Sequence, residues 1–183
     1  MSKAFTKEDE NELELLDDSA EAYTAPPGGK NYLTPFGYRR LKKELDYLAL
    51  EIWPTLAADY RKIATFSPEK KSLLIQQLKD CRRRMQYLES CLAITEVLRL
   101  QPELSSQVQF GSIVEVRESG KQTVFQIVGI EEADSAKGKI SWLSPLALAL
   151  IEGKVGDFID FDTPGGSREL EILKIENNGD EED

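Results

Sequence analysis

Residues 67–95 read SPEKKSLLIQQLKDCRRRMQYLESCLAIT. With Leu74, Leu78, Cys81, Met85, Leu88, Leu92 and Thr95 as the apolar set, the steps are 4, 3, 4, 3, 4 and 3. That is the a/d spacing of a coiled-coil seam. Ser67 is a good N-cap and Pro68 suits the first helical position, so a helix starts here. Upstream, Leu41, Leu45, Leu48 and Ile52 keep the same rhythm, which slips by one after Trp53-Pro54 and resumes at Leu56, Tyr60 and Ile63. Pro54 removes a backbone donor, which predicts a kink or stutter there. Thr34-Pro35 repeats the start signal of Ser67-Pro68. Two long helices over residues 35–98 follow, separated by Thr65, Phe66 and Ser67. So short a link makes them antiparallel neighbours. The first, roughly 30 residues, extends about 45 Å at 1.5 Å per residue. The product is a narrow rod with a blunt tip, suited to reach into a channel or to act as a spacer.

The chain of 183 residues has room for one or two domains, and a hydrophobic content of 40% permits a core. No apolar run approaches the ~20 residues of a membrane span. The acidic start lacks the apolar stretch of a signal peptide. The expectation is a cytoplasmic protein with no membrane contact. Histidine is absent, which removes His-based triads and His-containing metal sites. Cys81 and Cys91 sit on one helix about 15 Å apart, too far for a disulfide within it, and read as core thiols. No cofactor is called for.

The net charge of −10 is unevenly placed. Residues 1–29 hold eight acids against Lys3 and Lys7, and Asp180 to Asp183 are four more acids; the rest balances at 21 acids and 21 bases. Acid density and Pro26-Pro27-Gly28-Gly29 make residues 1–30 an expected disordered tail. It reads as a solubilising segment or as an arm over a basic surface. Residues 31–100 are then the coiled-coil hairpin, 101–107 a linker, 108–176 a globular domain and 177–183 a second acidic tail. On the hairpin, Arg39 and Arg40 lie near the start of the first helix, and Arg82, Arg83 and Arg84 lie midway along the second. These form either a basic patch for a phosphate backbone or a solvated flank, since Glu44, Asp46 and Glu51 are interspersed.

Beyond residue 107 the period changes. Ile113, Val114 and Val116 read as a strand, as do Val124, Phe125, Ile127 and Val128. A short apolar helix follows Ser144-Pro145. Phe158, Ile159 and Phe161 make a strand, Thr163-Pro164-Gly165-Gly166 a hairpin turn, and Leu170, Ile172, Leu173 and Ile175 the closing strand. The fold class is α+β: an N-terminal helical hairpin, then a small antiparallel sheet with one short helix.

Residues 33–45, LTPFGYRRLKKEL, resemble the opening helix of the Gre factors, GreA and GreB. Phe110-Gly111-Ser112 to Val116, Ile140-Ser141, Ser144-Pro145-Leu146-Ala147 to Ile151, Lys154-Val155-Gly156-Asp157 and Thr163-Pro164-Gly165-Gly166 resemble that family's later segments in the same order. Coverage runs from about 32 to 176. Arg84, Tyr87-Leu88 and Cys91-Leu92 look closer to GreB. The resemblance implies an FKBP-like topology for the globular domain and bacterial RNA polymerase as partner. It implies docking at the rim of the secondary channel, with the hairpin inside. In the family, two acids at the tip help hold a second magnesium ion for cleavage of backtracked RNA.

The tip departs from that pattern. Family members carry Asp-x-x-Glu in a longer Gly- and Asn-rich loop, whereas residues 64–71 read ATFSPEKK. Only Glu69 is acidic, at a position that favours the helix N-terminus. Lys70 and Lys71 follow and would repel a magnesium ion. The acidic pair is missing, so no metal or catalytic residue is expected. The channel-facing tip is Phe66, Ser67, Pro68, Glu69, Lys70 and Lys71, with Phe66 projecting and the lysines available to a carboxylate, a nucleotide or nascent RNA. The expected docking segment is Trp142, Leu143, Ser144, Pro145 and Leu146. Leu143 stands where the family places Asp or Asn. Strand alternation puts one of Trp142 and Leu143 outward as an apolar contact and leaves the other for the core.

The leading expectation is a monomeric, non-enzymatic Gre-like factor that modulates or inhibits transcription without stimulating cleavage. The alternative is a GreB-like factor that still works through Glu69. A prolyl isomerase and a coiled-coil scaffold without polymerase contact are further readings; fold by itself does not carry the isomerase activity.

Overall fold

Both Xaa-Pro start signals open helices. In the computed structural model, which describes residues 24–26, 28–99, 106–163 and 165–177, helix α1 spans Pro35–Tyr47, helix α2 Trp53–Tyr60 and helix α3 Pro68–Ala93. Between α1 and α2, Leu48–Ile52 winds as a π-helix, and the Trp53 amide donates to the Leu48 carbonyl, a five-residue step. Pro54 lacks an amide, and its ring presses on the carbonyl four residues back. The wider turn relieves that pressure and takes up the slip in the apolar rhythm.

One compact unit contains Leu41–Ala93. Glu44 pairs with Arg84, and Ala57 clusters with Leu74 and Leu78, with Trp53, Leu56, Tyr60, Ile63 and Phe66 packed around them. Partners earlier on one helix meet partners later on the other, as an antiparallel hairpin requires. Leu74, Leu78, Cys81 and Leu88 are buried as the heptad predicts, and Cys91 is buried more completely than Leu92.

Two helix boundaries differ from expectation. The link is not three residues but seven, 61–67, because α2 ends at Tyr60. Lys62 donates to the Asp59 carbonyl, Thr65 to Lys62 and Phe66 to Ile63, three-residue steps that tighten the chain into the turn Ile63–Thr65. The β-branched Ile63 and Thr65 fit a helix interior poorly. The second helix likewise stops at Ala93 and does not reach 98. Thr95, expected on the seam, lies in a strand.

The second unit joins Pro26–Arg40 to the chain from Ile94 onward. Strand β1 (Asn31–Leu33) pairs in parallel with strand β2 (Thr95–Val97). The remaining strands are β3 (Ile113–Glu118), β4 (Lys121–Val128), β5 (Lys139–Ser141), β6 (Phe158–Thr163) and β7 (Gly166–Glu176). They form one sheet in the order β5-β4-β3-β7-β6, antiparallel except that β5 runs parallel to β4. β3 and β4 turn at Ser119-Gly120, both at positive φ, which matches the right-handed twist of a two-residue hairpin. Helix α4 (Pro145–Leu150) packs against β6. Val114, Val116, Ile127, Leu170 and Ile172 from the sheet meet Ala147 and Leu150 of α4 in the core. A bulge between Glu115 and Val116 lets Val114 face Ile175 and Val116 face Ile172. The three-residue step from 172 to 175 is that bulge seen in sequence.

Candidate functional site

The hairpin tip is built by the start of α3. Ser67 accepts the Lys70 amide through Oγ at 3.4 Å, and its carbonyl takes the Lys71 amide at 2.9 Å. Glu69 is solvent-exposed and turns back onto the same helix end. Its own backbone amide, and then the Ser67 hydroxyl, hold its carboxyl below the usual carboxylate range. The ionised group sits at the helix N-terminus, whose partial positive charge favours it. Phe66, expected to project, is instead half-buried against the Ala57–Leu74–Leu78 cluster. The apolar ring gains more from that contact than from water, and Lys70 Nζ covers it at 3.8 Å from the centroid. Residues 61–71 thus present Arg61, Lys62, Lys70 and Lys71 with one acid among them. These residues do not fit a magnesium ion: the carboxylate is engaged by its own helix end, and the two residues that follow it are lysines. Among the described residues, no three His, Cys, Asp or Glu side chains gather where a metal would sit.

The docking segment follows β5. Trp142 and Leu143 occupy a turn, so strand alternation does not apply to them and both are half-buried. Trp142 packs on the core and meets Tyr32 edge-on at 5.0 Å. Its Nε1 is buried without an acceptor among the described residues. The Leu143 amide donates to Ser141 Oγ at 3.2 Å. Ser144 caps α4 by accepting the Ala147 amide at 3.2 Å, with Pro145 exposed at the first helical position. Leu146 packs on the core and lines a concavity of about 490 Å³ beside Phe125 and Phe161, rimmed by the Glu118–Arg168 ion pair.

Downstream of that segment, Leu148 is 57% exposed, Val155 59% and Phe158 64%. None of these belongs to the expected docking segment. Period 2 was the available sign, because Ile159 and Phe161 face the core and Phe158, one residue off, faces out.

The arginines are mostly engaged. Arg84 makes a two-pronged pair with Glu44 at 2.7 and 2.9 Å, which raises its pKa further. Arg83 meets Asp80 at 3.3 Å. Arg40 donates to the Glu131 carbonyl at 2.6 Å. Arg82 lines a hollow with Trp53, Met85, Gln86 and Glu89, and Arg39 is exposed.

Residues 102–177 match the family described as the C-terminal part of transcription elongation factor GreA/GreB. The chain is 34% identical over 160 residues to transcription elongation factor GreB of Neisseria meningitidis serogroup B, covering 80% of this chain and 94% of that protein. It is 34% identical over 157 residues to transcription elongation factor GreA of Syntrophus aciditrophicus, covering 78% and 92%. Among solved structures, the GreA factor homolog 1 protein of Thermus thermophilus shows 26% identity over 80% of this chain and 99% of that one, with a TM-score of 0.38.

Proposed function

The chain belongs to the GreA/GreB family of transcription elongation factors, and from that premise we propose that it binds bacterial RNA polymerase and modulates or inhibits transcription without stimulating transcript cleavage. In this reading the unit bearing Trp142–Leu146 docks at the rim of the secondary channel. Leu148, Val155 and Phe158 extend the apolar contact, and the tip residues Phe66 to Lys71 enter the channel. Arg39 and Arg40 on one unit, and Arg82–Arg84 on the other, are each offered toward nucleic acid; the engagement of Arg83 and Arg84 by acids makes Arg39 the stronger candidate.

The observation that carries the reading is the tip. A second metal in phosphoryl chemistry needs carboxylates aimed at one point, about 2.1 Å from a magnesium ion. Glu69 is the only acid of residues 61–71, and it is engaged by its own helix end. Lys70 and Lys71 follow it in sequence, and Lys70 covers the Phe66 ring. The same tip can obstruct, because Lys70 and Lys71 can pair with carboxylates or a triphosphate. The second reading, a GreB-like cleavage factor, is favoured by one fact: the Glu69 carboxylate is exposed and ionised.

The deciding experiment is a backtracked polymerase complex with labelled RNA, given wild type or Glu69→Ala. The expected outcome is no dinucleotide release above the polymerase's intrinsic rate, with slower nucleotide addition at saturating factor. Release well above that rate, lost in Glu69→Ala, establishes the second reading.

A further inference from the structure

Glu132 is a buried carboxylate outside the tip and the docking segment. It ends the turn Ile130–Glu132 that follows β4 and is 4% exposed. One carboxylate oxygen accepts the Thr34 amide at 2.9 Å and the Gly129 amide at 3.2 Å; the other accepts the Thr34 hydroxyl at 2.5 Å. That hydroxyl in turn accepts the Gly37 amide at 3.0 Å, the N-cap of α1. Helix α1 therefore begins against an acidic side chain supplied from 98 residues further along the chain.

The surroundings are shaped to the same end. The Asn31 side-chain amide donates to the Glu131 carboxylate at 3.1 Å, and Arg40 donates to the Glu131 carbonyl. A Cβ on Gly37 would stand 2.1 Å from Cδ of Glu132, and one on Gly129 would stand 2.4 Å from the Tyr32 carbonyl. Both glycines leave the room the joint needs. The buried Gly129 amide and the half-buried amide and hydroxyl of Thr34 share the Glu132 acceptor, and removing it leaves all three without it.

We propose that Glu132 is a positioning residue: it holds the start of α1 in place within the unit that carries the docking segment, and the effect of the docked factor depends on that hold. This rests on the polymerase-binding reading for its functional half; the joint itself is tested without polymerase.

The test uses the full chain as wild type, Glu132→Ala, Glu132→Gln and Gly37→Ala. Three readouts are taken: amide hydrogen exchange over residues 34–40, the factor concentration giving half-maximal polymerase binding, and the effect on nucleotide addition at saturation. Gly37→Ala improves intrinsic helix propensity while evicting the carboxylate, so a mere helix effect and the joint have opposite signs. Expected are exchange faster by about tenfold in Gly37→Ala and by about a hundredfold or more in Glu132→Ala, and a smaller change in Glu132→Gln, which keeps one acceptor oxygen. Half-maximal binding should stay within about twofold while the effect at saturation falls by about half or more, because the docking residues are untouched. Unchanged exchange in both Glu132→Ala and Gly37→Ala overturns the joint. Faster exchange with an undiminished effect at saturation overturns the positioning role. A wild-type chain that does not bind polymerase overturns the functional half and the reading it rests on, while exchange still decides the joint.

Discussion

Two helices of this chain start beside a carboxylate, and the two carboxylates differ in everything but charge. At α3, Glu69 lies two residues beyond the cap Ser67, is open to water, and bends onto its own helix end. At α1, the acid is Glu132, distant in sequence, buried, and bound by three donors. The helix-end electrostatics are alike. Water makes the difference. An exposed acid that loses its helix contact is rehydrated, so the contact adds little to stability. A buried acceptor that is removed strands the buried Gly129 amide and leaves the half-buried Thr34 donors poorly hydrated, at about 1–3 kcal/mol for a stranded group.

The contrast is broken most directly by Glu132→Ala. Denaturant unfolding of the second unit, followed by Trp142 fluorescence, should show a loss of about 3 kcal/mol or more. A loss below about 0.5 kcal/mol would put Glu132 in the same class as a surface acid. Next in size is Gly37→Ala. Alanine gains at most about 1 kcal/mol over glycine in a helix. Eviction of the carboxylate outweighs that gain, for a net loss of about 1–2 kcal/mol. A net gain would mean the Glu132 side chain moves aside without cost.

The two sites also differ in how they could be read from sequence. Ser67-Pro68-Glu69 is a contiguous start signal, and the structure agrees with it residue by residue. Pro54 likewise announced the irregularity that the π-helix Leu48–Ile52 supplies, since proline acts on a carbonyl four residues away. The sheet strands were legible from their β-branched runs. What escaped depends on partners far along the chain. β1 exists because Asn31–Leu33 finds Thr95–Val97, and neither three-residue piece has a periodicity of its own. Glu132 looked like one acid among 33. The only local hint was Gly37 inside a helix signal, where glycine is unfavourable unless space is needed. Strand alternation does not reach Trp142 and Leu143 because the strand ends at Ser141. The loop position of Phe66 suggests projection, but the cluster it packs on is about two turns of helix away in sequence.

A smaller effect separates the cap from the acid at the tip. Ser67→Ala removes the oxygen facing the Lys70 amide, a long contact at 3.4 Å in an exposed turn. The expected loss is about 0.5 kcal/mol, the low end for an N-cap. Calorimetry of the whole chain should show a small fall in melting temperature, while Ser67→Asp, which keeps an acceptor, retains most of it. Equal losses in both variants would mean that Ser67 does not act as the cap.

The smallest effect is Glu69→Ala, and its pH dependence carries the information. The folded chain holds the Glu69 carboxyl below its ordinary range, through its own amide first and the Ser67 hydroxyl second. A group whose folded pKa is depressed stabilises the fold above the unfolded pKa, and that contribution is lost as pH falls through the folded value. Wild type should therefore melt slightly above Glu69→Ala at neutral pH, and the difference should close as the solution is taken through the acid range below pH ~4.3, the ordinary Glu value. Added salt should shrink the neutral-pH difference, because the group is fully exposed and its interaction is screened. A difference that persists unchanged at acid pH would show that the carboxylate is not held by the helix end. It would then be free to meet a cation, and the main argument against a cleavage role for this tip would fall with it.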